Sequence, residues 1–196
     1  MTRPPPRLFG LYVAIAALLG AAFVLLLVLG PRWLASQPED VPAAPAPDAD
    51  APADARKIRG RLFYVNEQGT GLTGVEQEIV YGEGTVEQAK RIVEAQLAPA
   101  PEPLVSPIPP DTKLRTVFFT KTADLYVDLS AELQRNHPGG STNEILTVYA
   151  LVNALTSNLP AITSVQILIE GREVDTLAGH LDLRRPIEPD ARWVTD

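Results

Sequence analysis

The chain has two histidines, His137 and His180, and no cysteine, which bounds the chemistry it can do. Without thiols there is no thiolate nucleophile, no disulfide framework, no thiolate metal site and no lipid-bearing cysteine. Two imidazoles fall short of a zinc site unless a carboxylate adds a third ligand, so no metal and no cofactor are expected. His137 opens the turn His137-Pro-Gly-Gly-Ser141 and reads as an exposed loop residue. His180 could bind a ligand, but the commoner use of such a residue is to hydrogen-bond backbone and fix a turn. Glu144 has two readings. One is a general acid/base or partner contact. The other, preferred here, is the carboxylate of the capping box Ser141-Thr-Asn-Glu144, turned back on the N–H at the helix start. Asn153 lies among apolar residues in a helical pattern where Asn is a poor helix former; it is expected to hydrogen-bond a neighbouring loop, near Gly179 and His180. Asp124, Asp128, Glu170 and Asp182 show no spacing that pairs them for glycoside hydrolysis. No nucleophile elbow, P-loop or dinucleotide fingerprint is present, and Gly69, Gly71 and Gly74 lack phosphate-loop spacing. No catalytic residue is assigned and no enzyme is expected.

These residues need elements to position them. Arg59–Asn66 and Val75–Tyr81 read as strands. Thr85-Val-Glu-Gln88 is a second capping box, and Val86, Ala89, Ile92, Val93 and Leu97 repeat behind it at helical spacing. The proline-rich stretch 99–110 is a loop within one domain, because neither flank alone can close a core. Lys113–Lys121 and Leu125–Leu129 are further strands. Ile145, Val148, Tyr149, Val152 and Leu155 mark the apolar stripe of a second helix, and Ser164–Ile169 is a last strand before the turn at Gly171. The order β-β-α-β-β-α-β predicts an α+β domain: a two-layer sandwich with helices on one face of a mixed sheet.

The N-terminal third is different. Leu8–Leu29 is an uncharged apolar run; about 22 residues of helix span roughly 33 Å, against a hydrocarbon core of about 30 Å. Arg3 and Arg7 precede it and acids dominate after Arg32, so the positive-inside rule puts the N-terminus in the cytoplasm and the remainder outside. The run exceeds a signal-peptide core and is followed by Pro31, Arg32 and Trp33 rather than a small-x-small site. The expected organisation is a cytoplasmic N-terminus (1–7), a transmembrane helix (8–30), a Pro/Ala-rich acidic linker (31–57) that cannot bury enough apolar surface to fold, a domain (58–188) and a tail (189–196). The net charge of −7 argues against nucleic acid, which needs clustered Lys and Arg.

Several stretches resemble the GerMN domain, the sporulation and spore germination domain. Ser106–Leu114 is similar to its loop-to-strand entry, Leu125–Ser130 to its next strand and Gly139–Thr156 to its long helix. Val165–Gly171 and Thr176–His180 are similar to its last strand and closing segment. The resemblance covers residues 60–187. It implies a non-catalytic α/β domain on the outer side of the cytoplasmic membrane, associated with assembly of envelope complexes, and with spore formation and germination in some members. It also singles out Gly140, Glu144, Asn153, Gly171, Gly179 and His180 as motif positions, read as structural, with any binding role open. Expected partners are envelope or membrane proteins. A cell-wall or small-ligand module, touching peptidoglycan through Trp193, Tyr64 or Tyr81, is the alternative, and an enzyme acting on wall material ranks below it because only the compartment supports it.

Overall fold

The computed structural model describes residues 56–195. The run Leu8–Leu29 and its orientation, and nearly all of the linker, lie outside the described residues. Among those described, no helix is long and apolar enough to cross a membrane.

The domain opens with an antiparallel hairpin, β1 (Lys57–Val65) and β2 (Leu72–Val80), in unbroken register from Lys57↔Val80 to Val65↔Leu72. Its turn is closed by Asn66, whose side-chain oxygen accepts the N–H groups of Thr70 and Gly71. Helix α1 (Gly84–Leu97) follows, then the proline loop, then β3 (Leu114–Phe119) and β4 (Asp124–Leu129). A single-turn helix α2 (Glu132–Arg135) precedes the long helix α3 (Ser141–Asn158). The chain closes with β5 (Ser164–Ile169), the short β6 (Arg172–Glu173) and a 3₁₀ turn at Ala191–Trp193.

The expected order is present, extended by α2 and β6, and the domain is α+β. It does not have the single sheet expected. There are two: β1-β2, and a mixed sheet β3-β4-β5-β6 in which only the β4–β5 pair is parallel. Two features account for this. Parallel pairing needs a long crossover, which α2 and α3 supply. The outer edge of β1 is already occupied, and by side chains rather than a strand. Asn158, at the end of α3, accepts from Arg61 N (2.9 Å) and donates to Arg61 O (2.8 Å). Gln96, fully buried at the end of α1, does the same for Phe63 (2.9 and 2.8 Å). Val105 of the proline loop accepts from Val65 N. Each amide supplies the one donor and one acceptor that a neighbouring strand would have brought, so the edge is satisfied and closed to further pairing.

Neither capping box forms. The N-caps are Glu83 and Gly140, and neither makes a side-chain cap bond. Gln88 instead accepts the N–H of buried Gly82 (2.9 Å). There a Cβ would come within 2.6 Å of the α1 backbone, so glycine is required by close approach. On α1 the predicted stripe is shifted: Val86 is exposed, while Gln88 and Gln96 are buried with Ala89, Ile92 and Val93.

Helix α3 is buried on nearly every side, including Leu146, Thr147, Ala150 and Leu151, which the predicted stripe left out. A helix apolar all round belongs in a core, and α3 packs against β1, α1, β5 and the C-terminal segment. Tyr149, expected in the stripe, is only partly buried and stacks on Trp193 at 6.3 Å. Residues 190–195 lie along this side of α3. Val194 bridges to Leu72, and Thr195 donates its N–H to Leu72 O.

Candidate functional site

Glu144 lies in the first turn of α3, yet its carboxylate serves the other end of the chain. It is completely buried. Oε1 accepts the N–H groups of Leu177 (2.8 Å) and Ala178 (3.0 Å). Oε2 accepts the N–H of His180 (2.8 Å) and lies 3.2 Å from His180 Nδ1. The closing segment Thr176–His180 is thus wrapped round one carboxylate. Burial pushes the Glu144 pKa up, but the backbone N–H groups of Ala178, His180, Leu177 and Leu181 outweigh it and hold the group below the ordinary carboxylate value. Glu144 is therefore not a cap but an internal anion for a loop that has no regular partners of its own. The contact is long-range, so no local spacing could reveal it.

His180 meets Glu144 through both its backbone N–H and its ring, so the ring bonds a carboxylate rather than the backbone expected. Because Glu144 can only accept, the neutral ring carries its proton on Nδ1 and presents Nε2 to solvent; the side chain is 46% exposed. An imidazole oriented by a buried acid is half of a general-base arrangement, and a shallow pocket beside it is lined by Asp175, Thr176, Gly179, Asp182 and Arg184. The other half is missing. Asp182 is engaged by Arg184 through Nε (2.9 Å) and Nη2 (2.7 Å), which, with the Arg184 N–H, holds its carboxyl well below the usual range. Among the described residues no group of three His, Cys, Asp or Glu side chains could hold a metal.

The remaining motif residues serve the same end of the fold. Gly140 (φ 85°), Gly171 (φ 76°) and Gly179 (φ 94°) all have positive φ, which glycine adopts without the steric cost met by other residues. Gly171 turns β5 into β6 and donates its N–H to buried Asp128 (2.7 Å). Asp128 in turn lies 3.5 Å from Arg115, which also pairs with Glu170 at 2.6 Å. Asn153 does bind a loop, but not the one expected. It donates to Asp190 O (3.4 Å) and accepts Asp190 N (3.3 Å), so it secures the C-terminal segment and leaves Gly179 and His180 to Glu144. His137 is not exposed either. Its Nδ1 accepts from Gly139 N (3.0 Å) and its Nε2 donates to Thr147 Oγ1 (3.2 Å), joining the turn to α3. Burial, the largest influence, lowers its pKa.

Sequence reasoning gave no role to Gln96 or Asn158, the amides that finish β1, or to Gln166, which donates from a fully buried position to Leu183 O (2.6 Å). Of the proposed aromatic platform, Tyr64 is buried and bonded to Gln77, Tyr81 lies under Arg56, and Trp193 stacks on Tyr149.

The fold is thus a small α+β domain whose polar motif residues are largely spent on holding its own loops. The family model for Germane, described as sporulation and spore germination, matches residues 61–175, and the chain belongs to that family. Solved structures with the same fold include a "putative lipoprotein from Clostridium perfringens", 22% identical, with a TM-score of 0.50 over 70% of this chain and 91% of that one. The first GerMN domain of the sporulation protein GerM from Bacillus subtilis is 21% identical, with a TM-score of 0.50 over 68% of this chain and 96% of that one. Against the tandem GerMN domains of GerM the identity is 18%, and 69% of this chain covers 46% of that one at a TM-score of 0.50. The curated proteins give no match.

Proposed function

We infer that this chain is a non-enzymatic interaction domain that takes part in assembling protein complexes at the bacterial cell envelope. The observation that carries the reading is the state of Glu144. In the described residues it is the carboxylate placed to orient a histidine, yet it is completely buried and holds the closing loop through three backbone N–H groups. A carboxylate so engaged is committed to holding the loop, and among the described residues the His180 ring bonds only to Glu144, with no hydroxyl partner. The uncharged run Leu8–Leu29 supports an extracytoplasmic placement, as a single-pass anchor with the domain outside. A structural neighbour described as a lipoprotein is in keeping with a membrane-tethered domain. The experiment is crosslinking and co-purification from solubilised membranes across growth states. A specific, reproducible partner set is expected, and recovery of the chain alone in every state counts against the proposal. Orientation is read by protease treatment of spheroplasts: digestion of the domain before lysis is expected, and digestion only afterwards reverses the topology.

One observation favours a second reading, a cell-wall binding module. Tyr149 and Trp193 form a partly exposed stacked pair, and such aromatic surfaces carry apolar area with a polar edge. Sedimentation with isolated peptidoglycan separates the two: retention lost on Trp193→Ala favours the wall, and no retention favours a protein partner.

A further inference from the structure

We propose that the cleft between β1, α3 and the C-terminal segment is a recognition site for a peptide ending in a free carboxylate on an apolar residue, with Arg61 as the anion-binding group. The cleft holds about 310 Å³ and is lined by Phe63, Pro189, Ala191 and Val194 with Arg61 and Thr156. That is the lower end of the range for small-ligand sites and suits a terminal side chain rather than a large cofactor.

Arg61 is the unusual member. It is half-buried, and among the described residues its guanidinium makes no hydrogen bond and no ion pair. Yet Glu76 sits directly opposite it in the hairpin, and Lys57 on the same face does pair with Glu78. The Arg61 side chain turns away from that ladder, over Gly74 and 5.5 Å from the Phe63 ring centre. A Cβ at position 74 would lie 2.8 Å from Arg61 Cζ and Nη2. Gly74 is not among the positive-φ glycines, so backbone conformation does not require a glycine there. The room it leaves is the room the guanidinium occupies. An unpaired, pre-positioned guanidinium at the edge of an apolar cleft is suited to bidentate capture of a carboxylate.

The other polar groups fix the rest of the ligand's chemistry. The Asn153 amide, also on the lining, is engaged at both ends by Asp190, and the hydroxyls of Thr156 and Ser157 donate back into α3, to Val152 O (2.8 Å) and Asn153 O (2.5 Å). Toward the cleft they can only accept, and so they select an N–H donor. One cation, an apolar wall and acceptor oxygens complement a carboxylate, an aliphatic side chain and a peptide N–H, which together are a peptide C-terminus. A phosphate, which wants several donors, would meet acceptors beyond Arg61.

The inference rests on the interaction-domain reading and names the partner's chemistry, but its test is independent of partner recovery from membranes. Full-length ¹⁵N-labelled protein in detergent is titrated with N-acetyl-glycyl-leucine as the free acid and as its carboxamide. Shifts are expected at Thr156, Ser157 and Ala191, with the acid bound about ten-fold or more tighter than the amide, the order expected of a charge-assisted pair. Arg61→Gln is expected to lower acid affinity by a similar factor and erase the preference while leaving Tm near the wild type. Ala191→Trp, at an exposed lining position, is expected to block both ligands. 4-Methylpentanoate, which keeps the carboxylate but lacks the N–H, is expected to bind more weakly. Absence of shifts at these residues, equal binding of acid and amide, or unchanged binding in Arg61→Gln defeats the proposal; methylpentanoate binding as tightly as the peptide defeats the peptide assignment. Peptide failure alongside a recovered envelope partner would place the partner elsewhere on the domain, and peptide binding without any partner would leave the cleft as a site and remove the assembly role.

Discussion

At the scale of single residues, the decisive facts concern groups whose partners are far away in sequence. Glu144 gathers amides from 33 to 36 positions downstream. Removing it leaves three N–H groups with no acceptor in a region that is partly buried, at about 1–3 kcal/mol for each group that stays dry. Glu144→Ala is therefore expected to destabilise by roughly 3 kcal/mol or more, read as a lower urea midpoint, with proteolysis opening first at 175–183. Glu144→Gln, which keeps one acceptor oxygen, should lose less. The sign of the pH dependence follows from the lowered Glu144 pKa: the stabilisation is fully present above the ordinary value of 4.5 and is lost as pH falls through the folded value below it. In Glu144→Gln that part of the acid slope disappears. His137 gives a second window. Its pKa also lies below its ordinary 6.5, so the neutral ring is the folded form. Protonation would put a hydrogen on Nδ1, where the Gly139 N–H is received. Stability is expected to be fullest above pH 6.5 and to decline as pH drops through the folded value. Denaturant curves from pH 7.5 to 5 measure this, and His137→Gln should flatten the decline.

At the scale of elements, local pattern was a good guide to the strands. The hairpin strands, β3, β4 and β5 lie within a few residues of their expected spans, because runs rich in β-branched and aromatic residues bounded by turn residues mark a strand whether one face is buried or both. The pattern was a poor guide at helix starts. The spacings at Thr85–Gln88 and Ser141–Glu144 fit capping boxes, but both acceptor side chains had better-paid work elsewhere in the fold. Gln88 takes the N–H of Gly82, and Glu144 takes a whole loop. Sheet membership was not legible either, since two amides at helix ends decide it. Gln96→Leu is expected to orphan both peptide groups of buried Phe63, at about 1–3 kcal/mol per group. Gln96→Glu keeps an acceptor for Phe63 N but sets a buried carboxylate against Phe63 O, so at neutral pH it is expected to be at least as destabilising as Leu and to recover as the group is protonated. Thermal unfolding of the two variants against wild type gives the order. Hydrogen exchange at Phe63 should quicken in both even where global stability is only modestly changed, because the loss lies at the edge of β1.

At the scale of the whole molecule, α3 is central, and both β1 and the last described residues pack against it. The sequence shows an amphipathic helix with a stripe at Ile145, Val148, Tyr149, Val152 and Leu155. It does not show that the remaining sides are also covered, because the cover comes from β1, α1, β5 and residues 190–195, which carry no regular pattern. They nevertheless make specific contacts: Trp193 on Tyr149, Asp190 with both ends of the Asn153 amide, and Thr195 with Leu72. Truncation after Glu188 would remove one aromatic stack and at least three hydrogen bonds, on the order of 3 kcal/mol together, and lower Tm by on the order of 10 °C. Because Pro189, Ala191 and Val194 form one wall of the cleft beside Arg61, the same truncation should abolish carboxylate-peptide binding. Trp193→Ala separates the two effects: it removes the stack but leaves those three cleft residues, so it is expected to cost about 1–3 kcal/mol while retaining most of the peptide affinity. Calorimetry on the three proteins, paired with the peptide titration, tests the argument. A truncated chain as stable as wild type would mean that the C-terminal segment rests on α3 without holding it.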